Sequence, residues 1–386
     1  MLLDTLARIA FGVAGIIVVI YTLASAIRSF VLPRAAPDAL TKIVFRATRR
    51  IFNVWAKPAR SYEARDRAMA MYAPVTLVLL PGVWIVLIML GYSAIFWLAG
   101  VTPYSEAVRT SIASASTLGF TTDPSVFHNL IMFSESLIGL VLVALLISYL
   151  PAIYSAFSRR EALVTMLEVR AGSPPSVVEM LSRYHRLGRM QILSNMWLDW
   201  EAWFAELEES HTSLAVLAFF RSPRPHRSWV TAAGVVLDTA SFVVSAVDIP
   251  HDVQANICIR AGFIALRHIG DFFRIPYDPK PKQGDPISIT REEFDDVCLQ
   301  LETIGVPLKK DREQAWLDFS GWRVNYDTVL LSLAALTMAP YAPWISDRSP
   351  IHARRWDKRH RRMINPVDPA NLFSFAPVVE QESENS

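Results

Sequence analysis

The feature that most constrains this chain is the uneven distribution of its charged residues. Three long stretches contain no Asp, Glu, Lys or Arg, and they cover residues 9–27, 68–105 and 136–158. The rest of the 386-residue chain carries charge at about the density of an ordinary soluble protein. This pattern predicts a membrane module in the first 158 residues, followed by a water-soluble region.

Each charge-free stretch is close to, or longer than, the roughly 20 apolar residues that cross a bilayer as a helix. The stretches predict transmembrane helices over about residues 5–31, 72–100 and 129–157. A later apolar segment, residues 229–247, has Asp238 at its centre. Inserting an aspartate there would cost about 2.5–3.5 kcal/mol. We therefore expect this segment to be a buried helix of the soluble region.

The orientation follows from the connection between the first two spans. Residues 32–71 contain nine basic and three acidic residues, which the positive-inside rule places in the cytoplasm. A multi-pass protein of the cell membrane is expected, with its N-terminus outside and its C-terminal region in the cytoplasm. The alternative is a secretory signal peptide cleaved near Ala24-Ser25-Ala26, which would reverse every later span.

The connection between the second and third spans has an unusual composition for a free loop. Residues 104–116 are compatible with a short helix rich in Ala and Ser, and Thr117-Leu118-Gly119-Phe120-Thr121-Thr122-Asp123 follows. Non-helical backbone at membrane depth is tolerated where it is buried in protein or lines a water-filled cavity. A re-entrant helix followed by an extended segment, spanning 104–123, satisfies this condition.

The order of outer helix, short helix, Thr-x-Gly-aromatic segment and inner helix resembles the pore module of two-transmembrane potassium channels. The resemblance implies a selectivity filter with Thr117 as the innermost ligand, followed by the carbonyls of Leu118, Gly119 and Phe120. Thr121 stands where the family has its second filter glycine, so selectivity for potassium over sodium is open. Asp123 is then expected at the pore vestibule.

Three residues of the third span are further candidates. The resemblance implies that Gly139, 20 residues beyond Gly119, is the inner-helix hinge. Pro151 frees a carbonyl near the cytoplasmic end, where the helix could bend at a gate. Glu135 is a carboxylate at the membrane boundary and is expected either to support the filter or to face water.

One pore loop cannot encircle an ion, so conduction would require a homotetramer around K⁺ or another monovalent cation. We expect no nucleic-acid partner, because the net charge is only +2. No bound cofactor is expected, and the two cysteines, 40 residues apart with no CxxC spacing, do not indicate a metal site. The lipid bilayer is a partner, and anionic lipid could bind the basic segments. The alternative function is a non-conducting, membrane-anchored sensor or scaffold.

The remaining chain is read as a helical cytoplasmic domain, since its periodicity is helical from Arg159 onward. No catalytic motif is present, so an enzyme is not expected; a metal site would require His211, Asp238 and His268 to meet. Ser173 is the expected N-cap of a helical region that continues to Glu209.

The predicted fold class is therefore all-α, with three spans, one re-entrant pore loop and a helical cytoplasmic domain. The predicted divisions are an N-terminal anchor helix (1–32), a basic cytoplasmic loop (33–71), a pore module (72–158), the cytoplasmic domain (159–345) and a basic stretch with a disordered tail (346–386).

Overall fold

The computed structural model describes residues 2–30, 38–59, 61–116 and 125–348. The protein is 77% helical and has no strand within these ranges, which confirms the all-α class. The chain divides into two compact units, Met1–Ser158 with Ser213–Phe220, and Arg159–Thr212 with Arg221–Ser386.

The first unit is built from long apolar helices and shorter connecting ones. They are α1 (Leu2–Phe30), α2 (Ala39–Ala56), α3 (Tyr62–Ala70), α4 (Tyr72–Leu98), α5 (Tyr104–Ala115) and the first part of α6 (Val126–Ala171). A short 3₁₀ helix, Ala215–Phe219, also belongs to this unit. Its Phe219 packs edge to face against Tyr72 with ring centroids 5.6 Å apart, and the Arg49 guanidinium lies 5.2 Å from the Phe219 ring.

Helices α1 and α4 approach closely because small residues meet along their contact. A Cβ added to Gly15 would lie 2.5 Å from the carbonyl oxygen of Gly91, and one added to Gly91 would lie 2.7 Å from a Val19 methyl. Membrane helices use such small residues to bring their backbones together. Further along the contact, the Trp84 indole donates a hydrogen bond of 3.1 Å to Ser25 Oγ.

Helix α6 is longer than the predicted third span. It continues from Val126 to Ala171, through Gly139 and Pro151, so the helix extends 14 residues beyond residue 157. In the most apolar 18-residue window of α6, only 17% of the residues are buried. The corresponding share is 33% in α1 and 39% in the segment Tyr62–Leu98. Most residues of this apolar window of α6 are therefore not covered by the described part of the chain.

The second unit surrounds one apolar helix, α9 (Trp229–Ala246), with other helices. Its helices are the end of α6, α7 (Val177–Arg186), α8 (Leu193–Ser213), α9 (Trp229–Ala246), α10 (Val253–Phe272), α11 (Arg291–Ile304), α12 (Arg312–Arg323) and α13 (Asp327–Thr337), with a 3₁₀ turn at Met190–Ile192. Helix α9 is 94% buried and packs against α7, α10, α12 and α13. The prediction that this segment is a buried helix is confirmed.

One local prediction about the second unit is wrong. The N-cap of α7 is Ser176, whose Oγ accepts a hydrogen bond from the Glu179 amide, rather than Ser173. The segment that follows Ser176 is helical as expected, and it consists of two α-helices with a 3₁₀ turn between them. Gly188 adopts a φ of +63°, a left-handed conformation that ends a helix at low cost for glycine, and so α7 and α8 are separate.

Within the ranges that the structure describes, four helical segments are long and apolar enough to cross a membrane: Thr5–Phe30, Tyr62–Leu98, Val126–Ala171 and Trp229–Ala246. The last is the buried α9. The other three overlap the predicted spans and are compatible with a membrane protein.

Candidate pore-loop site

Helix α5 confirms the short helix that was expected between the second and third spans. It begins after Pro103, carries Glu106 in its first turn, and ends at Ala115. A carboxylate in the first turn is favourable because it faces the positive end of the helix dipole. The buried positions of α5 include Ala107, Thr110, Ser111, Ala113 and Ser114, so small residues let it pack closely.

The predicted filter follows directly after this helix. Thr117, Leu118, Gly119, Phe120, Thr121 and Asp123 lie outside the described residues. Their assignments remain predictions. The described chain ends at Ser116 before the filter and resumes at Ser125 after it, so both flanks of the segment are defined.

Glu135 is fully buried at the contact between α5 and α6. Its Oε1 accepts a hydrogen bond of 2.5 Å from Ser111 Oγ, which lies on α5. Its Oε2 is also buried and has no hydrogen-bond partner among the described residues. Of the two environments expected for Glu135, the structure therefore shows burial in protein and not exposure to water.

A second pair of serines joins the same two helices. Ser114 Oγ donates to the carbonyl of Met132 at 2.6 Å, and Ser136 Oγ donates to the carbonyl of Ser114 at 2.7 Å. Helix α4 is joined to α6 by the Tyr92 and Ser134 hydroxyls, which are 3.0 Å apart. The short helix is thus fixed by polar contacts in an otherwise apolar region, where few competing partners exist.

Helix α4 also holds α5 directly. Ser111 Oγ lies 2.9 Å from the carbonyl of Met89, and the hydroxyls of Ser93 and Tyr104 are 3.1 Å apart. Ser111 therefore links α5 to both of the long helices beside it. The sequence showed that α5 is rich in serine, but it did not show which serines pair with which helix.

Gly139 lies at the point where α6 meets the end of α5. A Cβ added there would be 3.1 Å from the carbonyl oxygen of Ala115. Glu135, Gly139 and Leu142 are buried at i, i+4 and i+7, so they form the stripe of α6 that faces protein. Close packing accounts for a glycine at this position. Its role as a hinge, and that of exposed Pro151 at a gate, remain predictions.

The polar candidates of the second unit do not come together. Arg160 Nη1 donates to His211 Nε2 at 3.2 Å, and His268 Nδ1 lies 2.7 Å from Glu208 Oε1. Asp238 is paired with Arg323 and accepts a 3.0 Å hydrogen bond from the Tyr326 hydroxyl. Across the described ranges, no group of three or more His, Cys, Asp or Glu side chains could hold a metal ion.

His211 is held in its neutral form by these surroundings. Complete burial lowers the pKa of His211 well below 6.5, and the positive charge of Arg160 lowers it further. Because a guanidinium can only donate, His211 Nε2 must be the acceptor of their hydrogen bond. The His211 ring also packs against Trp229 with centroids 4.8 Å apart.

Comparison with known proteins finds no matching family model, no matching curated protein and no matching solved structure.

Proposed function

We propose that the protein is a homotetrameric channel for monovalent cations in the cell membrane, with potassium as the expected ion. The observation that carries this proposal is the position of α5. This 12-residue helix is fixed between α4 and α6 by Ser111, Ser114 and Ser136, and it ends directly before Thr117. A helix in that position would direct its negative carbonyl end toward a cation.

The uncovered surface of α6 supports the assembly. In the proposed channel this inner helix would line the pore and pack against neighbouring copies, and its low burial within one chain is in keeping with that arrangement. The proposed orientation has the N-terminus outside and the second unit in the cytoplasm, because nine basic residues lie in the connection between α1 and α4. The second unit would then assemble or regulate the channel.

The test is ion flux through purified protein reconstituted in liposomes. We expect potassium permeation in the natural protein and its loss in Gly119→Ala, because a β-carbon restricts the backbone of the proposed filter. Gly82→Ala is the matched control, since a Cβ at Gly82 meets no atom within 4 Å. Equal fluxes in both variants, or no flux of potassium or sodium in the natural protein, would contradict the proposal.

Cross-linking in native membranes tests the assembly separately. A tetramer is expected, because a single loop in each chain requires four copies around one pore. A monomer or dimer would favour the alternative function, a membrane-anchored sensor or scaffold. For a conducting protein, the reversal potential under a potassium and sodium gradient would define the ion selectivity. This measurement tests the effect of Thr121, which stands where the family has its second filter glycine.

A further inference from the structure

Helix α2 has an apolar surface that no part of the described chain covers. Ile43, Ile51, Val54 and Trp55 are 57%, 67%, 64% and 60% exposed. Ile43, Ile51 and Val54 are spaced at i, i+8 and i+11, which places them on one side of the helix. We call these four residues the apolar strip of α2.

Another side of α2 is occupied by protein contacts. Thr48, Phe52 and Ala56, spaced at i, i+4 and i+8, are buried there. The Phe52 ring lies 6.0 Å from the Tyr72 ring, centroid to centroid. The apolar strip is therefore not the face by which α2 packs into its own unit. It is a second apolar surface on the same short helix.

Helix α2 is attached to both neighbouring long helices near the ends that the connection joins. The hydroxyls of Ser29, in the last turn of α1, and Thr41 are 2.9 Å apart. The hydroxyl of Tyr72, the first residue of α4, donates to the carbonyl of Phe45 at 3.3 Å. These contacts keep α2 beside the ends of two proposed spans, where a bilayer has its headgroup layer.

The charges of α2 are all of one sign. It contains Lys42, Arg46, Arg49 and Arg50 and no acidic residue, and its two cap residues are Asp38 at the N-terminus and Lys57 at the C-terminus. Lys42, Arg46 and Arg50 are spaced at i, i+4 and i+8, so they form a basic strip beside the apolar one. Arg50 and Lys57 are exposed.

We propose that α2 lies in the headgroup layer of the cytoplasmic leaflet. Its apolar strip enters the acyl boundary, and the exposed Arg50 and Lys57 contact the phosphates of anionic lipids. An exposed apolar strip beside a basic strip is the pattern of helices that lie in a membrane interface. The proposal depends on insertion of α1 and α4 but not on ion conduction.

An anionic lipid surface suits α2 better than a second copy of the same helix. Two copies that paired through the apolar strip would bring their basic strips together, with no acidic residue on either helix to compensate. Anionic headgroups instead supply the complementary charge, and their attraction for lysine and arginine acts close to the surface. Charge complementarity therefore favours lipid as the occupant.

Spin labels at single cysteines can locate the strip. Ile51→Cys and Val54→Cys provide exposed attachment points, whereas the two natural cysteines, Cys258 and Cys298, are buried. The full chain is reconstituted in vesicles of phosphatidylcholine with phosphatidylglycerol, and each label is exposed to oxygen and to a water-soluble nickel chelate. Lys280→Cys, at an exposed position of the second unit, is the control for water.

We expect the labels at 51 and 54 to collide more with oxygen than with nickel, as labels in lipid do, and the label at 280 to show the reverse. Nickel collisions at 51 and 54 as frequent as at 280 would mean exposure to water and would overturn the proposal. Low collision rates with both reagents would mean contact with protein, such as a second copy, and would also overturn it.

The role of anionic headgroups is tested by changing the lipid composition of the vesicles. Replacing phosphatidylglycerol with phosphatidylcholine should raise nickel accessibility at 51 and 54, and Arg50→Gln with Lys57→Gln should do the same in anionic vesicles. Unchanged accessibility in both experiments would overturn the role of anionic headgroups.

Discussion

Ser111 and Glu135 form a buried hydrogen bond of 2.5 Å that joins the short helix α5 to the long helix α6. Ser111→Ala should leave Glu135 Oε1 without this donor, in a place where Oε2 already lacks a described partner. A buried polar group without a partner costs about 1–3 kcal/mol. We therefore expect a loss of this size in the free energy of unfolding of the detergent-purified protein.

Ser148→Ala is the matched control, because the Ser148 hydroxyl is exposed and bonds only to the carbonyl of Leu145 among the contacts described. It should change stability by less than about 0.5 kcal/mol. A double-mutant cycle with Glu135→Ala, which removes the acceptor, would measure the coupling of Ser111 to the carboxylate. A coupling energy near zero would contradict a direct interaction between the two side chains.

The close approach of α1 and α4 gives a second prediction. Gly91→Leu would place a side chain against the carbonyl of Gly15 and a Val19 methyl, and overpacking of this kind costs about 1–3 kcal/mol. Gly82→Leu, at a position with open space around it, should be tolerated. Thermal unfolding in detergent compares the two variants, and equal melting temperatures would show that the α1–α4 contact is not tight.

Arg323 is the central cation of the second unit. It is fully buried, pairs with Asp238, donates to Asp327 Oδ1 at 2.8 Å, and donates to the carbonyl of Trp344 at 2.7 Å. Burial alone would lower the pKa of Arg323, but the carboxylates of Asp238 and Asp327 raise it overall. The guanidinium therefore stays charged.

Arg323→Met should destabilise the protein by about 3–5 kcal/mol, because it leaves buried carboxylates without their cation. Arg291→Met is the control. Arg291 pairs at 2.9 Å with Asp295 and Glu313, which are 46% and 79% exposed, and such a surface pair contributes at most about 1 kcal/mol. Denaturant unfolding, followed by tryptophan fluorescence, would measure the free energy of unfolding of both variants. Similar stabilities of the two variants would contradict the central role of Arg323.

His211 predicts a dependence of stability on pH. Its pKa is lower in the folded protein than the value of about 6.5 in an unfolded chain, so the unfolded state binds the proton more readily. Stability should be greatest above pH 6.5 and fall as the pH decreases below it, by at most about 1.4 kcal/mol per pH unit for one proton. Denaturant titrations between pH 5 and 8 measure this slope.

His211→Asn should flatten the slope, since an amide can still accept from Arg160 but does not titrate in this range. His251→Asn changes an exposed histidine and should keep the natural slope. If His211→Asn retained the full pH dependence of stability, a group other than His211 would have to take up the proton, and the prediction would be wrong.

The long helices were predictable because hydropathy alone defines them. Charge-free stretches located α1, α4 and α6, and the central Asp238 correctly predicted that α9 is buried in protein, since an aspartate requires a polar partner when buried. The partner itself was not predictable. Arg323 lies 85 residues away in sequence, and only the packing of α9 against α12 brings the two together.

Two further features of the structure were not predictable because they depend on side-chain contacts between residues far apart in the sequence. Glu135 was recognised as a candidate, but its donor Ser111 is 24 residues earlier and depends on how α5 lies against α6. Arg348 was counted with the basic stretch that could meet lipid. In the structure its side chain is 6% exposed and is bonded to Glu293 at 2.6 Å and to Asp347 at 2.7 Å, so it stabilises the second unit instead.

The position of Ser213–Phe220 has a practical consequence for dividing the protein. The chain leaves the first unit after Ser158, returns to it for these eight residues, and leaves again at Arg221. A single cut after Ser158 would therefore not yield a whole unit, because it would remove the aromatic ring that Tyr72 and Arg49 contact. A shortened chain that retains the native first unit needs this segment grafted back, and the two units are not separable by simple truncation.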